Sequence, residues 1–234
     1  MPVAFRKAER KKAKLRLAIM SPSGFGKTYS ALRIAKGLGG KIAVLDTETG
    51  SADLYAKDFT YDVLQMNAPF EPQKYIMAIK AAEEAGYDVL IVDSLSHSWA
   101  GTGGLLDTHG AIADKGGNSF TAWRSVTPMY QELVDAILQS KLHIIVTLRS
   151  KTDYAMDGGK VTKVGLAPVI RDNFEYEMTV CFDLDKEHNG HTSKDRTGLF
   201  VNRIIPMTEE VGSQLLGWLN TESNDSQPVE PAKS

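Results

Sequence analysis

Apolar positions along this chain fall into two patterns, short unbroken runs and stretches at helical spacing. Residues 15–20 (Leu-Arg-Leu-Ala-Ile-Met) have the length and character of a buried strand. Residues 29–38 follow with Leu32, Ile34, Ala35 and Leu38 at helical spacing, and Gly39-Gly40 ends the stretch. The alternation continues. Residues 41–45 and 87–92 predict buried strands, 61–66 a short edge strand, and 142–148 another all-apolar strand. Between them, 71–85 (Tyr75, Ile76, Ile79, Ala82) and 120–139 (Trp123, Val126, Tyr130, Leu133, Ile137) predict amphipathic helices. Residues 95–118 carry Gly101, Gly103, Gly104, Gly110, Gly116 and Gly117 and read as a mobile loop with one helical turn near Leu105. Asp157-Gly158-Gly159 predicts a hairpin turn. Residues 177–184 and 198–205 read as two late strands, separated by a hydrophilic excursion built on Asn189-Gly190. A helix over 209–219 closes the series.

Strands alternating with helices predict an α/β fold: a mostly parallel central sheet with helices on both faces and an antiparallel extension near the C-terminus. One domain over 15–220 accommodates every element, with a basic arm (1–14) before it. The stretch 221–234 lacks aromatics and aliphatic periodicity and is expected to be disordered.

Composition narrows the chemistry. Hydrophobic residues make up 42% and charged residues 24%, and the net charge is −2, so any nucleic-acid surface must be local. No apolar run approaches the roughly 20 residues of a membrane span, and the charged N-terminus does not read as a signal peptide. A cytoplasmic protein is expected. The single cysteine, Cys181, excludes an internal disulfide framework and reads as a buried strand thiol. Charge is uneven at one place: residues 5–16 carry Arg6, Lys7, Arg10, Lys11, Lys12, Lys14 and Arg16 against Glu9. That run is either a solvated arm or a nucleic-acid contact.

The densest chemistry lies in residues 21–28, Ser-Pro-Ser-Gly-Phe-Gly-Lys-Thr, between the first strand and the first helix. A glycine-rich loop in that context can turn its N–H groups onto phosphates, with the helix dipole behind them. Ser23, Gly24, Phe25, Gly26, Lys27, Thr28 and Tyr29 form the expected nucleotide-binding set. Lys27 would reach the β- and γ-phosphates and Thr28 would ligate Mg²⁺. Ser21 stands where the G-x-x-x-x-G-K-[ST] pattern begins with glycine, and a small residue can still make that turn. Asp93, ending the 87–92 strand, fits a Mg²⁺ ligand acting through water; its alternative is a helix cap. Glu48, two residues after Asp46 at the end of the 41–45 strand, can face the γ-phosphate if that strand lies beside the Asp93 strand. There it would orient or deprotonate water; otherwise Asp46 and Glu48 are loop acids.

In this order the parts resemble the RecA-like P-loop ATPases over roughly residues 15 to 205. That family has the glutamate in an Asp-x-Glu sequence, here Asp46-Thr47-Glu48, and the Mg²⁺ aspartate in an Asp-Ser pair, here Asp93-Ser94. A polar sensor ends the next core strand. Arg149 occupies that point, where recombinases of the family commonly have glutamine. The small size, the run Asp-Ser-Leu-Ser-His-Ser-Trp (93–99) and the segment Leu-Arg-Ser-Lys-Thr (148–152) look most like the compact phage-encoded (Sak-type) members. The resemblance implies Mg²⁺-dependent ATP hydrolysis, annealing or pairing of single-stranded DNA in phage recombination, and a homo-oligomeric ring or filament. It further implies a bacterial host cytoplasm as the setting and a single-strand DNA-binding protein among the partners. Lys194-Asp195-Arg196 resembles the Lys-x-Arg finger that ring ATPases of this fold extend into a neighbour's site; the alternative is a charged hairpin in water.

DNA contact is expected on residues 95–118 and 152–168, through Lys115, Lys151, Lys160 and Lys163. The five histidines form no metal-ligand spacing, and surface or locally hydrogen-bonded roles suit them. Trp99, Trp123 and Tyr154 offer rings to stack on bases, although Trp123 sits at core spacing. Against the DNA-acting ATPase stands a second class, a P-loop kinase or nucleotide-gated scaffold that never touches DNA.

Overall fold

In a computed structural model, residues 13–116, 118–157 and 160–221 are described, 152–165 by their backbone alone. Residues 1–12, 117, 158–159 and 222–234 lie outside the described residues, and with them most of the expected basic arm, the expected turn at Gly158-Gly159 and the expected disordered tail. The elements in chain order are β1 (Arg16–Ser21), α1 (Lys27–Leu38), β2 (Ile42–Asp46), β3 (Asp62–Gln65), α2 (Pro72–Glu84), β4 (Val89–Asp93), α3 (Ser96–Ala100), α4 (Leu105–Asp114) and α5 (Ser119–Gln139). They continue with β5 (His143–Asp157), β6 (Lys160–Pro168), β7 (Val180–Leu184), β8 (Asn189–Asp195), β9 (Ile204–Pro206) and α6 (Glu209–Asn220).

The strands form a sheet of order β3-β2-β4-β5-β1-β7-β8-β9. From β3 to β7 every neighbour is parallel, while β8 and β9 run antiparallel, as does β6, which folds back on β5. The α/β fold with a mostly parallel sheet and C-terminal antiparallel strands is therefore as the sequence pattern predicts.

The central strands are apolar throughout because both of their faces are covered. Leu17 and Ile19 of β1 pack with Ile34 and Leu38 of α1 and Val211 and Leu215 of α6. Ala18 and Met20, pointing the other way, pack with Ile76 and Ile79 of α2 and Leu133 and Ile137 of α5. Each large side chain so buried contributes about 1.5–3 kcal/mol. α1 and α6 meet backbone to backbone. A Cβ on Gly37 would come within 1.9 Å of the Glu209 carbonyl oxygen, and one on Gly212 within 2.1 Å of the Ile34 carbonyl oxygen. The Arg33 guanidinium clamps the same crossing through the Glu209 carboxylate at 2.5 and 3.0 Å.

Several sequence expectations change. Residues 95–118 are not an open loop, since α3 and α4 fill most of them. The glycines there mark helix junctions: Gly103 and Gly116 take left-handed φ angles of 75° and 97°. α5 starts where Asn118 caps it, its side chain accepting from the Thr121 N–H at 2.8 Å. The late strands are also displaced. The hydrophilic excursion is itself the strand β8, and most of the expected 198–205 strand is turn, with only β9 at its end. The Asp195 carboxylate explains the turn by accepting from the N–H groups of Thr197 (2.7 Å), Gly198 (3.2 Å) and Phe200 (2.8 Å). Those bonds curl the chain and drop the Phe200 ring into the core. Trp99 and Trp123 stack on each other at 5.8 Å, each partly buried against the core. Cys181 is fully buried, and burial raises its thiol to about 12.

Arg16 is no arm charge. It is buried in β1, and its guanidinium donates to the carbonyls of Leu15, Leu138, Ser140 and Leu142 at 2.5–3.0 Å, closing the end of α5. Next to it the Leu15 N–H donates to His143 Nδ1 at 3.1 Å. Burial, with Lys14 and Arg16 nearby, lowers this imidazole from 6.5 to about 4. A base depressed in the folded state is protonated first in the unfolded chain, so stability is full above pH 6.5 and declines as pH falls toward 4. The melting temperature should drop across that window. His143→Asn, whose side-chain oxygen can accept the same bond, should lose part of the slope; an unchanged slope would assign it to other groups.

Candidate active site

β1 ends at Ser21, and the chain turns through residues 22–26 into α1. Gly24 and Gly26 both take left-handed φ angles, 83° and 81°. The loop sits at the carboxyl end of the parallel strands, the side where open α/β sheets bind ligands. Sheet register brings the polar strand ends to the same level: Asp46 lies beside Asp93, and Ser21 beside Arg149. β5 stands between β1 and β4, so Arg149 projects between the phosphate loop and Asp93.

A cavity of about 470 Å³ opens there, lined by Ser23, Gly24, Gly26, Lys27, Thr28, Tyr29, Glu48, Ser51, Tyr55, Asp93, Arg149 and His188. The Lys27 ammonium is buried and donates to the Ser21 and Pro22 carbonyls at 3.0 and 2.8 Å. Burial lowers its pKa, with Asp93 and Glu48 opposing. The Asp93 carboxylate accepts from Thr28 Oγ1 and Thr147 Oγ1, each at 2.5 Å. Desolvation raises this carboxyl above the ordinary range in spite of both hydroxyls. Thr28 and Asp93, proposed from the sequence as one metal site, therefore lie in direct contact.

Glu48 stands across the cavity. Its carboxylate accepts from Arg149 Nε at 2.9 Å and from the second guanidinium nitrogen in a bidentate pair. Burial pushes the Glu48 carboxyl up, but the bonds and charge of Arg149 outweigh it and hold the carboxyl below its usual value. The turn carrying Glu48 is fixed from its N-terminal side: Asp46 Oδ1 accepts from the Glu48 N–H at 2.7 Å, and the Thr47 N–H donates to the Asp93 carbonyl at 2.7 Å. Thr49 follows with φ 60°, a left-handed angle for a β-branched residue.

The remaining expected residues fall as follows. Phe25 lends its carbonyl rather than a cavity wall. Tyr29 turns its ring toward Tyr55 (5.5 Å) and Phe59 (5.4 Å) beside the loop. Lys115 and Lys151 are exposed, while Lys160 and Lys163 lie on β6, where side chains are not described. Lys194 and Arg196 do not project on a hairpin. β8 is paired into the sheet, and Asp195 lies level with Val180, itself level with Leu17. That is four residues before Ser21, about 13 Å along the strand from the phosphate loop. Both cations donate to the Tyr176 carbonyl, and Lys194 also donates to the Glu175 carbonyl at 3.0 Å.

Sequence reasoning missed His188. The turn between β7 and β8 carries it over the phosphate loop, where it lines the cavity and donates from Nδ1 to the Phe25 carbonyl at 2.9 Å. A Cβ on Gly26 would lie 2.6 Å from that nitrogen, so the glycine permits both the left-handed angle and the close approach. Thr147 was missed as well, although it stands two residues before Arg149 in an apolar strand.

The chain matches the AAA domain family AAA_24 over residues 13–210. It belongs to that family. This AAA domain is a P-loop ATPase, and the matched span takes in the phosphate loop, Glu48, Asp93 and Arg149. No curated protein matches the chain. The donor set of the AAA domain suits magnesium nucleotide. Thr28 and Asp93 supply hard oxygen atoms, Lys27 a buried cation, and Ser51 Oγ a buried polar atom at the cavity with no partner among the described residues.

Proposed function

We propose that this AAA domain is a RecA-like, phage-type (Sak-like) recombination ATPase that hydrolyses ATP and uses the cycle to bind and anneal single-stranded DNA as a homo-oligomer. The reading rests above all on Glu48 facing Arg149 across the phosphate-loop cavity, with β5 between β1 and β4. A carboxylate so placed can orient or take a proton from a water attacking the γ-phosphate. Lys27 and the loop N–H groups would bind the phosphates, and Thr28 and Asp93 would hold Mg²⁺, which would supply positive charge beside the phosphates. Arg149 has to give up part of its grip on Glu48 for the carboxylate to accept from water. A γ-phosphate in the cavity would compete for that guanidinium.

Support for a DNA role comes from connectivity. β5 carries Arg149 and runs without a break into the β5–β6 hairpin, where Asp157 pairs with Lys160 and Tyr154 with Lys163. A change at the phosphate site thus has a route along one strand, past an irregularity in the pairing at Asp153/Tyr154, to lysines proposed to contact DNA. Lys194 and Arg196, too far from their own phosphate loop, would serve the site of an adjoining subunit.

Hydrolysis measured with and without single-stranded DNA tests the reading. Turnover should rise with DNA, and binding should weaken with salt. Lys160→Ala with Lys163→Ala should flatten the slope of log K against log salt by about 1.4, two released counterions at ~0.7 each. DNA-independent turnover together with no DNA binding would leave an ATPase with another client.

A further inference from the structure

His97, on α3, takes no part in the phosphate contacts, yet it touches the turn that carries Glu48. We propose that His97 is a positioning residue for hydrolysis: through the Thr47 hydroxyl it fixes the turn 46–48 and so the aim of Glu48. The inference rests on the reading of Glu48 as the hydrolytic group.

Thr47 is the pin of that turn. Its side chain is buried, and its Oγ1 accepts from the Ser94 N–H at 2.9 Å. The same oxygen lies 3.1 Å from the Ser94 carbonyl and 2.8 Å from His97 Nδ1. One hydroxyl has one proton and two lone pairs. If the proton goes to the Ser94 carbonyl, Nδ1–H fills the second lone pair; if it goes to His97, Nδ1 accepts it. In both arrangements His97 completes the hydrogen bonding of Thr47, and without it a buried hydroxyl loses one partner. Burial favours the neutral imidazole, which can play either part.

The ring itself is held. Phe70 stacks on it at 4.7 Å and 22°. Phe70 is tied in turn by its N–H to the Thr102 carbonyl at 2.7 Å. The α3–α4 junction closes behind: a Cβ on Gly101 would meet the Phe70 ring at 2.8 Å and the His97 carbonyl at 2.7 Å. A side chain stacked on one face and hydrogen-bonded at its edge can hold a neighbour in place, which general-base chemistry requires. Beyond Glu48 the chain bends away through Thr49 and Gly50, both left-handed, and is tied back by the Ala52 N–H on Asp46 Oδ2 at 3.2 Å, so Asp46 and Thr47 are the two anchors of the turn.

The test is steady-state kinetics. His97→Phe keeps the stack on Phe70 and deletes the nitrogen; kcat should fall about tenfold or more with KM for ATP within about twofold. His97→Asn, which places a polar atom where Nδ1 stands, should recover most of kcat. Thr47→Val, which also removes the bonds to Ser94, should lose at least as much as His97→Phe, and the double variant no more than Thr47→Val alone. Wild-type kcat in His97→Phe, losses that multiply in the double variant, or equal loss in His97→Asn and His97→Phe would each overturn the proposal. Glu48→Gln run alongside separates the two levels. If it still turns over, the role of Glu48 fails; if it is dead while His97→Phe is normal, only the role of His97 fails.

Discussion

Glu48→Gln should bind ATP much as the wild type does and lower its hydrolysis by about a hundredfold or more, the usual contribution of a positioned general base. Binding should survive because the proposed phosphate and metal contacts come from Lys27, Thr28 and the loop N–H groups between β1 and α1, whereas Glu48 follows β2. The glutamine oxygen can still accept from Arg149, so the geometry of the turn is kept while the charge and the basic site are lost. Binding by calorimetry and turnover by phosphate release give the two numbers. Turnover near the wild-type rate would make Glu48 a structural partner of Arg149 and leave the site without an assigned base.

Lys27→Ala should act at the other step. The buried ammonium is the cation nearest the bend of the phosphate loop, held there by two carbonyls of the same loop. Deleting it removes charge-assisted bonds to phosphate worth about 1.5–3 kcal/mol, so Kd for ATP should rise by about ten- to a hundredfold or beyond. Thermal shift with added nucleotide should vanish in parallel. An unchanged Kd would place the nucleotide elsewhere in the molecule.

Both predictions were within reach of the sequence because their signals are local. A buried strand, two glycines with Lys-Thr, and a helix at 3.6 spacing define the loop without tertiary information. The acids at 46 and 93 were readable for the same reason, each closing an apolar run whose length sets the strand end. What escaped depends on distance in sequence. His188 meets Phe25 across 163 residues, and nothing in Asp-Lys-Glu-His announces that its turn comes to rest on the loop. Thr147 reads as one more β-branched strand residue until register sets it opposite Asp93. The glycines over 95–118 misled because glycine marks helix ends as readily as open loops. Leu199-Phe200-Val201 misled because an apolar triplet resembles a strand, while the Asp195 carboxylate holds it as a turn.

The bare crossing of α1 and α6 has a mechanical consequence. With no side chains between them at Gly37 and Gly212, the two helices have no cushion along which to slide. Thr28 sits in the first turn of one, and Thr221 leaves from the end of the other. A load hung beyond Thr221 would therefore pass through the crossing to the helix that presents the Thr28 hydroxyl to the cavity. Tension there and nucleotide at the loop would each be felt at the other end.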